Sequence, residues 1–232
     1  MKTRTKVILM TIAGICAAAW TTIVNTVDVG IVGPKDCKIG LSLINSSFHD
    51  LWHYDDTLKY NKLWYNITQY IGYFALLVAG ILAIIGLVQL IKRKKFTKVD
   101  KCIISAGFLY ALTIGLYVFF EIVIVNYRPI IMPDETEPAA SFPSSHTMLV
   151  IIVLGSVMIM LKNYIQKTIV RLSIQFLCLI IIVAMVLGRF ICGVHWFSDV
   201  IGGILYGVFL LCGYAVFAKN IPDTTQKIKI DK

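Results

Sequence analysis

Residues 172–193 read LSIQFLCLIIIVAMVLGRFICG, a run whose one charged side chain, Arg189, comes close to its end. A hydrocarbon core about 30 Å thick takes about 20 apolar residues of helix to cross. No water reaches backbone amides inside a bilayer, so a run this long and this apolar must be helical. Five further stretches are of the same kind: about 7–26, 69–91, 102–126, 147–165 and 197–218. The stretch at 147–165 is the shortest in apolar content, running strongly only from Met148 to Leu161, and tilt or local thinning of the bilayer accommodates it. Composition agrees, with 58% of the 232 residues hydrophobic and 15% charged, against roughly 25% charged in an average soluble domain. The same balance excludes a disordered chain. The sequence therefore predicts an all-α polytopic membrane protein, a single membrane domain over residues 1–232 with six transmembrane helices. An interfacial helical segment is expected in the outside loop 27–68.

Lysine and arginine set the orientation. With the N-terminus inside, 16 of the 22 basic residues fall on the cytoplasmic side: Lys2, Arg4 and Lys6, the cluster from Lys92 to Lys101, Lys162, Lys167 and Arg171, and the C-terminal lysines from Lys219 to Lys232. Both termini are thus expected in the cytoplasm, and the expected location is a bacterial plasma membrane. The net charge of +9 is then topogenic and faces anionic lipid headgroups, with no need for a nucleic-acid partner. A basic start, an apolar run and Ala17-Ala18-Ala19 also fit a cleaved signal peptide. The length of the run and the lack of a polar cleavage region favour a retained helix. Leu41, Ile44, Phe48, Leu51 and Trp52 recur at helical spacing, followed by Tyr54, Tyr60, Trp64 and Tyr65, as in a helix lying among headgroups. His49 and His53 read as interfacial hydrogen bonders. Asn45 and Asn66 are sequons that matter only where the cell glycosylates. Five of the six cysteines lie in or beside apolar runs and no Cys-x-x-Cys pair exists, which argues against a disulfide scaffold and a cysteine-based zinc site.

Charge at membrane depth is costly and marks function. Three places stand out: Glu121 to Arg128-Pro129 at the end of the third span, Pro143-Ser144-Ser145-His146 opening the fourth, and Gly188-Arg189 closing the fifth with His195 to Asp199 opening the sixth. The inferred topology brings all three to the outer surface. The residue types suit a phosphate. His195 and Asp199, four apart on a helix, share a face. A carboxylate on one imidazole nitrogen fixes the tautomer and frees the other nitrogen as a nucleophile. Arg128 and Arg189 offer planar forks that match phosphate oxygens. Amides around Ser144 and Ser145, at a helix start, add donors. His146 fits as the acid that protonates the departing oxygen. No cluster has metal-ligand character, and no cofactor is implied.

These segments resemble the signature of the type 2 phosphatidic acid phosphatase family, whose site is shared with vanadium haloperoxidases. That family reads Lys-x6-Arg-Pro, Pro-Ser-Gly-His and Ser-Arg-x5-His-x3-Asp. The third motif stands here as Gly188-Arg189-x5-His195-x3-Asp199, and the second as Pro143-Ser144-Ser145-His146. The first keeps Arg128-Pro129 but has Glu121 where lysine is expected. The resemblance implies metal-independent hydrolysis of phosphoric monoesters or diphosphates carried by lipids, such as phosphatidate, phosphatidylglycerol phosphate or polyprenyl diphosphates, undecaprenyl diphosphate among them. In it, His195 attacks phosphorus and becomes a phosphohistidine oriented by Asp199. His146 serves as acid and then base, and Arg128, Arg189 and Ser144 hold the phosphate. Glu121 is expected two turns below Arg128 on one helix face, paired with it or neutral by desolvation. Gly188 lacks a hydroxyl that would otherwise reach the phosphate. A phosphotransferase passing the phosphoryl group to another lipid, and a catalytically weakened lipid-binding member, are the alternatives of the same fold. Haem held between helix histidines is the alternative of a different class, and two arginines beside those histidines suit an anion better.

Overall fold

A computed structural model describes residues 3–52 and 59–218. Seven α-helices lie within them: α1 (Thr3–Thr26), α2 (Ser42–His49), α3 (Lys62–Arg93), α4 (Lys101–Ile122), α5 (Ser145–Tyr164), α6 (Thr168–Ile191) and α7 (Phe197–Phe217). All but α2 are long and apolar enough to cross a membrane. A small antiparallel hairpin, β1 (Gly30–Ile31) with β2 (Lys38–Ile39), precedes α2 and has no counterpart in the sequence reading. Since the six long helices alternate in direction, the described connecting residues 27–52 and 59–61, 123–144 and 192–196 share one end of the bundle. The connections 94–100 and 165–167 share the other.

α5 forms the centre. Over half of its apolar window is buried, with Val150, Ile152, Val153 and Leu154 sealed between neighbours. One side of it joins Ala75 of α3 and Met185 of α6, the other joins Leu109 of α4 and Tyr214 of α7. α1 lies along α7, where Gly14 faces the Phe209 ring. The peripheral helices turn large apolar side chains outward, among them Leu77, Ile84, Phe176 and Ile169, the last 81% exposed. Water would not tolerate a belt of that size, and lipid does. The protein is an integral membrane protein.

Several boundaries differ from the hydropathy reading. The second span begins at Lys62 instead of 69, so Trp64 and Tyr65 belong to a helix of 32 residues, about 48 Å at 1.5 Å per residue. The interfacial helix is correspondingly short, ending at His49. Leu51 and Trp52 follow it, and His53 and Tyr54 lie outside the described residues, as do Lys2 and the C-terminal lysines. The third span stops at Ile122 and not at 126. The β-branched run Val123-Ile124-Val125 disfavours another turn, and the chain instead pairs with residues 139–141. Glu121 and Arg128 therefore do not share a helix face. The fourth and fifth spans run 145–164 and 168–191 in place of 147–165 and 172–193, and the sixth ends at 217.

Candidate active site

Three connections are laced together at one end. After α4, Tyr127 bridges Ala140, the Arg128 amide donates to the Ala139 carbonyl at 2.9 Å, and the Ser141 amide donates to Asn126 at 2.9 Å. This pairing carries Arg128 back beside Ser141. The Ser144 amide then donates to the Asp199 carbonyl at 2.9 Å, fastening the start of α5 to the start of α7. Only glycine at 203 permits that approach, because a Cβ there would meet the Ser144 carbonyl oxygen at 2.7 Å. The turn between α6 and α7 is pinned in the same way. Trp196 Nε1 donates to the Tyr127 carbonyl at 2.7 Å, and Trp20 Nε1 to the Ser198 carbonyl at 3.0 Å.

The laced loops gather the residues singled out in the sequence. A cavity is lined by Arg128, Ser145 and His195 together with Tyr117, Phe120 and Glu121 of α4. Arg189 is almost wholly buried, its guanidinium over the Tyr65 ring at 5.8 Å and one Nη donating to Gln69 Oε1 at 3.1 Å. The Nε atoms of both Arg128 and Arg189 are buried and have no hydrogen-bond partner. His146, in the first turn of α5, lies within reach of the charges of Arg189, His195 and Arg128. Its ring rests on Gly72 of α3, where a Cβ would come within 2.8 Å of it.

His195 sits in the turn, buried. Burial first, and then the Arg189 and Arg128 cations, drive its imidazole well below the ordinary histidine value, against a hydrogen bond to the Ser141 backbone. The ring is thus neutral at neutral pH. The expected bond to Asp199 is not formed: His195 Nδ1 lies 3.8 Å from Oδ2 and has no partner, beyond hydrogen-bond reach. The carboxylate is engaged elsewhere. Oδ2 accepts from the Trp196 amide at 2.9 Å, closing the first turn of α7, and Oδ1 accepts from Asn126 Nδ2 at 3.1 Å and from Ser198 Oγ at 3.5 Å.

Three other expectations change. The Ser144 amide is spent on Asp199, and the Ser144 hydroxyl, fully buried, bonds Thr147 at 3.0 Å. The donors left at the start of α5 are the first-turn amides from Ser145 onward, which have no intrahelical partner. Glu121 is exposed on the cavity rim, hydrogen-bonded with the Tyr117 hydroxyl, and forms no ion pair with Arg128. Finally, a Cβ at position 188 would point at Thr68 and Trp64 of α3, at 2.5 and 3.2 Å. Gly188 thus serves helix packing.

The sequence reading missed the residues that hold the cluster. Asn126 is fully buried, accepts from the Gly40 amide at 3.1 Å, and donates to Ser198 Oγ and to Asp199. Asn45 is equally buried, caps the Ser198 amide at 3.0 Å, and donates to Ser198 Oγ and the Gly40 carbonyl. Its amide is consumed in this network, which removes Asn45 as a glycan site. Gln69 holds Arg189. Asn126 stands inside the Glu121 to Pro129 stretch singled out in the sequence, whereas nothing in the sequence ties Asn45 or Gln69 to the site.

Six spanning helices carry two arginines and two histidines at one end of a membrane protein. The family model for the PAP2 superfamily matches residues 103–222, just over half of the chain, and the protein belongs to that superfamily. Among solved structures, it is similar to the first transmembrane PAP2-type phosphatidylglycerolphosphate phosphatase, from Bacillus subtilis. The TM-score is 0.58 at 20% identity, over 94% of this chain and 98% of that one. No curated protein sequence matches significantly.

Proposed function

We propose that this protein is a membrane lipid phosphatase that releases phosphate from a lipid phosphate at the outer face of the membrane, through a phosphohistidine. What supports it above all is the set of unpartnered buried donors, Nε of Arg128 and Nε of Arg189, beside a desolvated imidazole. Leaving such groups unsatisfied costs stability, and a bound anion repays it. Arg128 and Arg189 take two phosphate oxygens, with Ser145 and the first amides of α5 as further donors. Neutral His195 attacks phosphorus through Nε2 while the bond from phosphorus to the lipid oxygen breaks and His146 gives that oxygen its proton. Positive charge then develops on the attacking imidazole. Asp199, 3.8 Å from Nδ1, needs to close by about 1 Å to accept that proton in a hydrogen bond, a tightening common between free and substrate-bound enzymes. In the second half-reaction His146 takes a proton from water, the hydroxide oxygen attacks the phosphohistidine, and inorganic phosphate leaves with His195 restored.

The outward orientation rests on the lysine distribution: the far end of the bundle carries Lys94, Lys95, Lys98, Lys101, Lys162 and Lys167. Lipid phosphates suit a cavity that opens beside the exposed apolar end of α4. The test is phosphate release from short-chain lipid phosphates in detergent, with chelator present. Release by the wild-type protein that falls at least about 10⁴-fold in His195→Ala, as loss of a nucleophile does, is the expected result. Equal release by both proteins would overturn the reading.

A further inference from the structure

We propose that Glu121 makes the site selective for lipid monophosphates over lipid diphosphates, an inference that rests on the phosphatase reading above. The cavity lining mixes two unlike sets of residues. Arg128, Ser145 and His195 take the transferred phosphoryl group in the phosphatase reading, and Tyr117, Phe120 and Glu121, from the last two turns of α4, complete the lining. Glu121 is exposed at the rim and tied to the Tyr117 hydroxyl one turn earlier. Glu121 makes no ion pair with Arg128, and it shares the cavity lining with Phe120 and Met148. Solvent screens an exposed carboxylate at long range, so its field acts on groups bound in the cavity beside it, inside a Debye length.

In-line attack drives the leaving group away from the nucleophile. His195 is buried and Glu121 exposed, so the leaving group departs toward the carboxylate. From a monoester that group is an alcohol, whose ester oxygen carries no charge and whose neighbouring hydroxyls donate to a carboxylate. From a diphosphate it is a second phosphate, negatively charged, and two like charges at the rim repel. A lysine at this position, as in the resembling motif, would carry the opposite charge. The substitution reverses the sign of the field where the two substrate classes differ.

The test is the ratio of kcat/KM for an alkyl monophosphate to that for the diphosphate of the same chain, in wild type, Glu121→Gln and Glu121→Lys. The wild type is expected to favour the monophosphate, and Glu121→Gln to reduce the ratio about tenfold, the factor that about 1.4 kcal/mol supplies. Glu121→Lys should reduce it further. A ratio unchanged across the three proteins overturns the inference while leaving the phosphatase reading intact. Binding gives a readout independent of turnover: calorimetric Kd values for phosphate and pyrophosphate on His195→Ala with and without Glu121→Lys. Pyrophosphate should tighten about tenfold more than phosphate on adding the lysine, and equal changes would overturn the proposal. Loss of turnover in every protein combined with the expected binding shift would count against the phosphatase reading alone.

Discussion

Asp100, at the start of α4, and Asp199, in the first turn of α7, sit at opposite ends of the bundle and each accepts several hydrogen bonds. The donors to Asp100 are Gln89 at 2.8 Å, Arg93 at 2.8 Å and Tyr164 at 2.9 Å. Burial alone would raise this carboxyl, and the bonds from Arg93, Gln89 and Tyr164 outweigh it and hold it below the usual carboxylate range. Charge meets charge, Gln89 returns its own carbonyl to the Asp100 amide, and α3, α4 and α5 are stitched. Asp199 has only neutral donors, from Asn126, Trp196, Ser198 and the Ser141 hydroxyl. The nearest cationic or titratable partner, His195, stops at 3.8 Å. Around it the Nε atoms of two arginines and His195 Nδ1 go unpartnered. A polar cluster that satisfies itself is structure, and the buried groups left unpaired at the other end are what the proposed phosphate site rests on.

The sharpest way to test that contrast is to disturb what holds Asp199 without touching it. Asn126→Ala removes one of its donors and loosens the link to Ser198. Kcat is expected to fall about 10²-fold, the usual effect of about 1 Å of misplacement, with KM changed little and activity partly recovered in Asn126→Gln. A rise in KM with kcat intact would make Asn126 a substrate contact instead. Next comes pH. Desolvation and two cations keep His195 neutral, so it remains an available nucleophile as pH falls past the ordinary histidine value. Once the second ionisation of the substrate, near pKa 6, is factored out of kcat/KM, the acid limb assigned to His195 should lie below about 6.5. A limb above that value would mean that the ring is paired to a carboxylate and not desolvated.

The smallest effect belongs to the far end. Arg93 and Asp100 are partly exposed, 41% and 30% in their side chains, so Arg93→Ala should cost at most about 1 kcal/mol of stability and leave kcat/KM within about twofold. Because the folded Asp100 carboxyl titrates below its unfolded value, its contribution is present at neutral pH and fades as acid protonates it below about 3.9. A large loss of activity in Arg93→Ala would break the division between the two ends.

Hydropathy located all six spans, because a bilayer demands that every apolar run of that length close its own hydrogen bonds. It failed at the ends, where the reasons are tertiary. The third span stops at Ile122 since residues 126–128 find partners at 139–141, and nothing local to Glu121 announces that. Arg128, Arg189, His146, His195 and Asp199 were legible because charge and imidazole at membrane depth are costly enough to be informative. Their detailed bonding was not. The i, i+4 spacing of His195 and Asp199 correctly gave proximity, but His195 sits in the turn before α7 and the carboxylate caps the first turn, so the bond is unmade. Asn45 and Gln69 come from distant segments, and only packing shows that they hold the cluster.

The central event is transfer of the phosphoryl group to His195. Rapid acid-free quenching of the wild-type protein with a radiolabelled lipid phosphate should trap a covalent species that survives base, is lost in acid and maps to His195. Label on any other residue, or full turnover by His195→Ala, would contradict it.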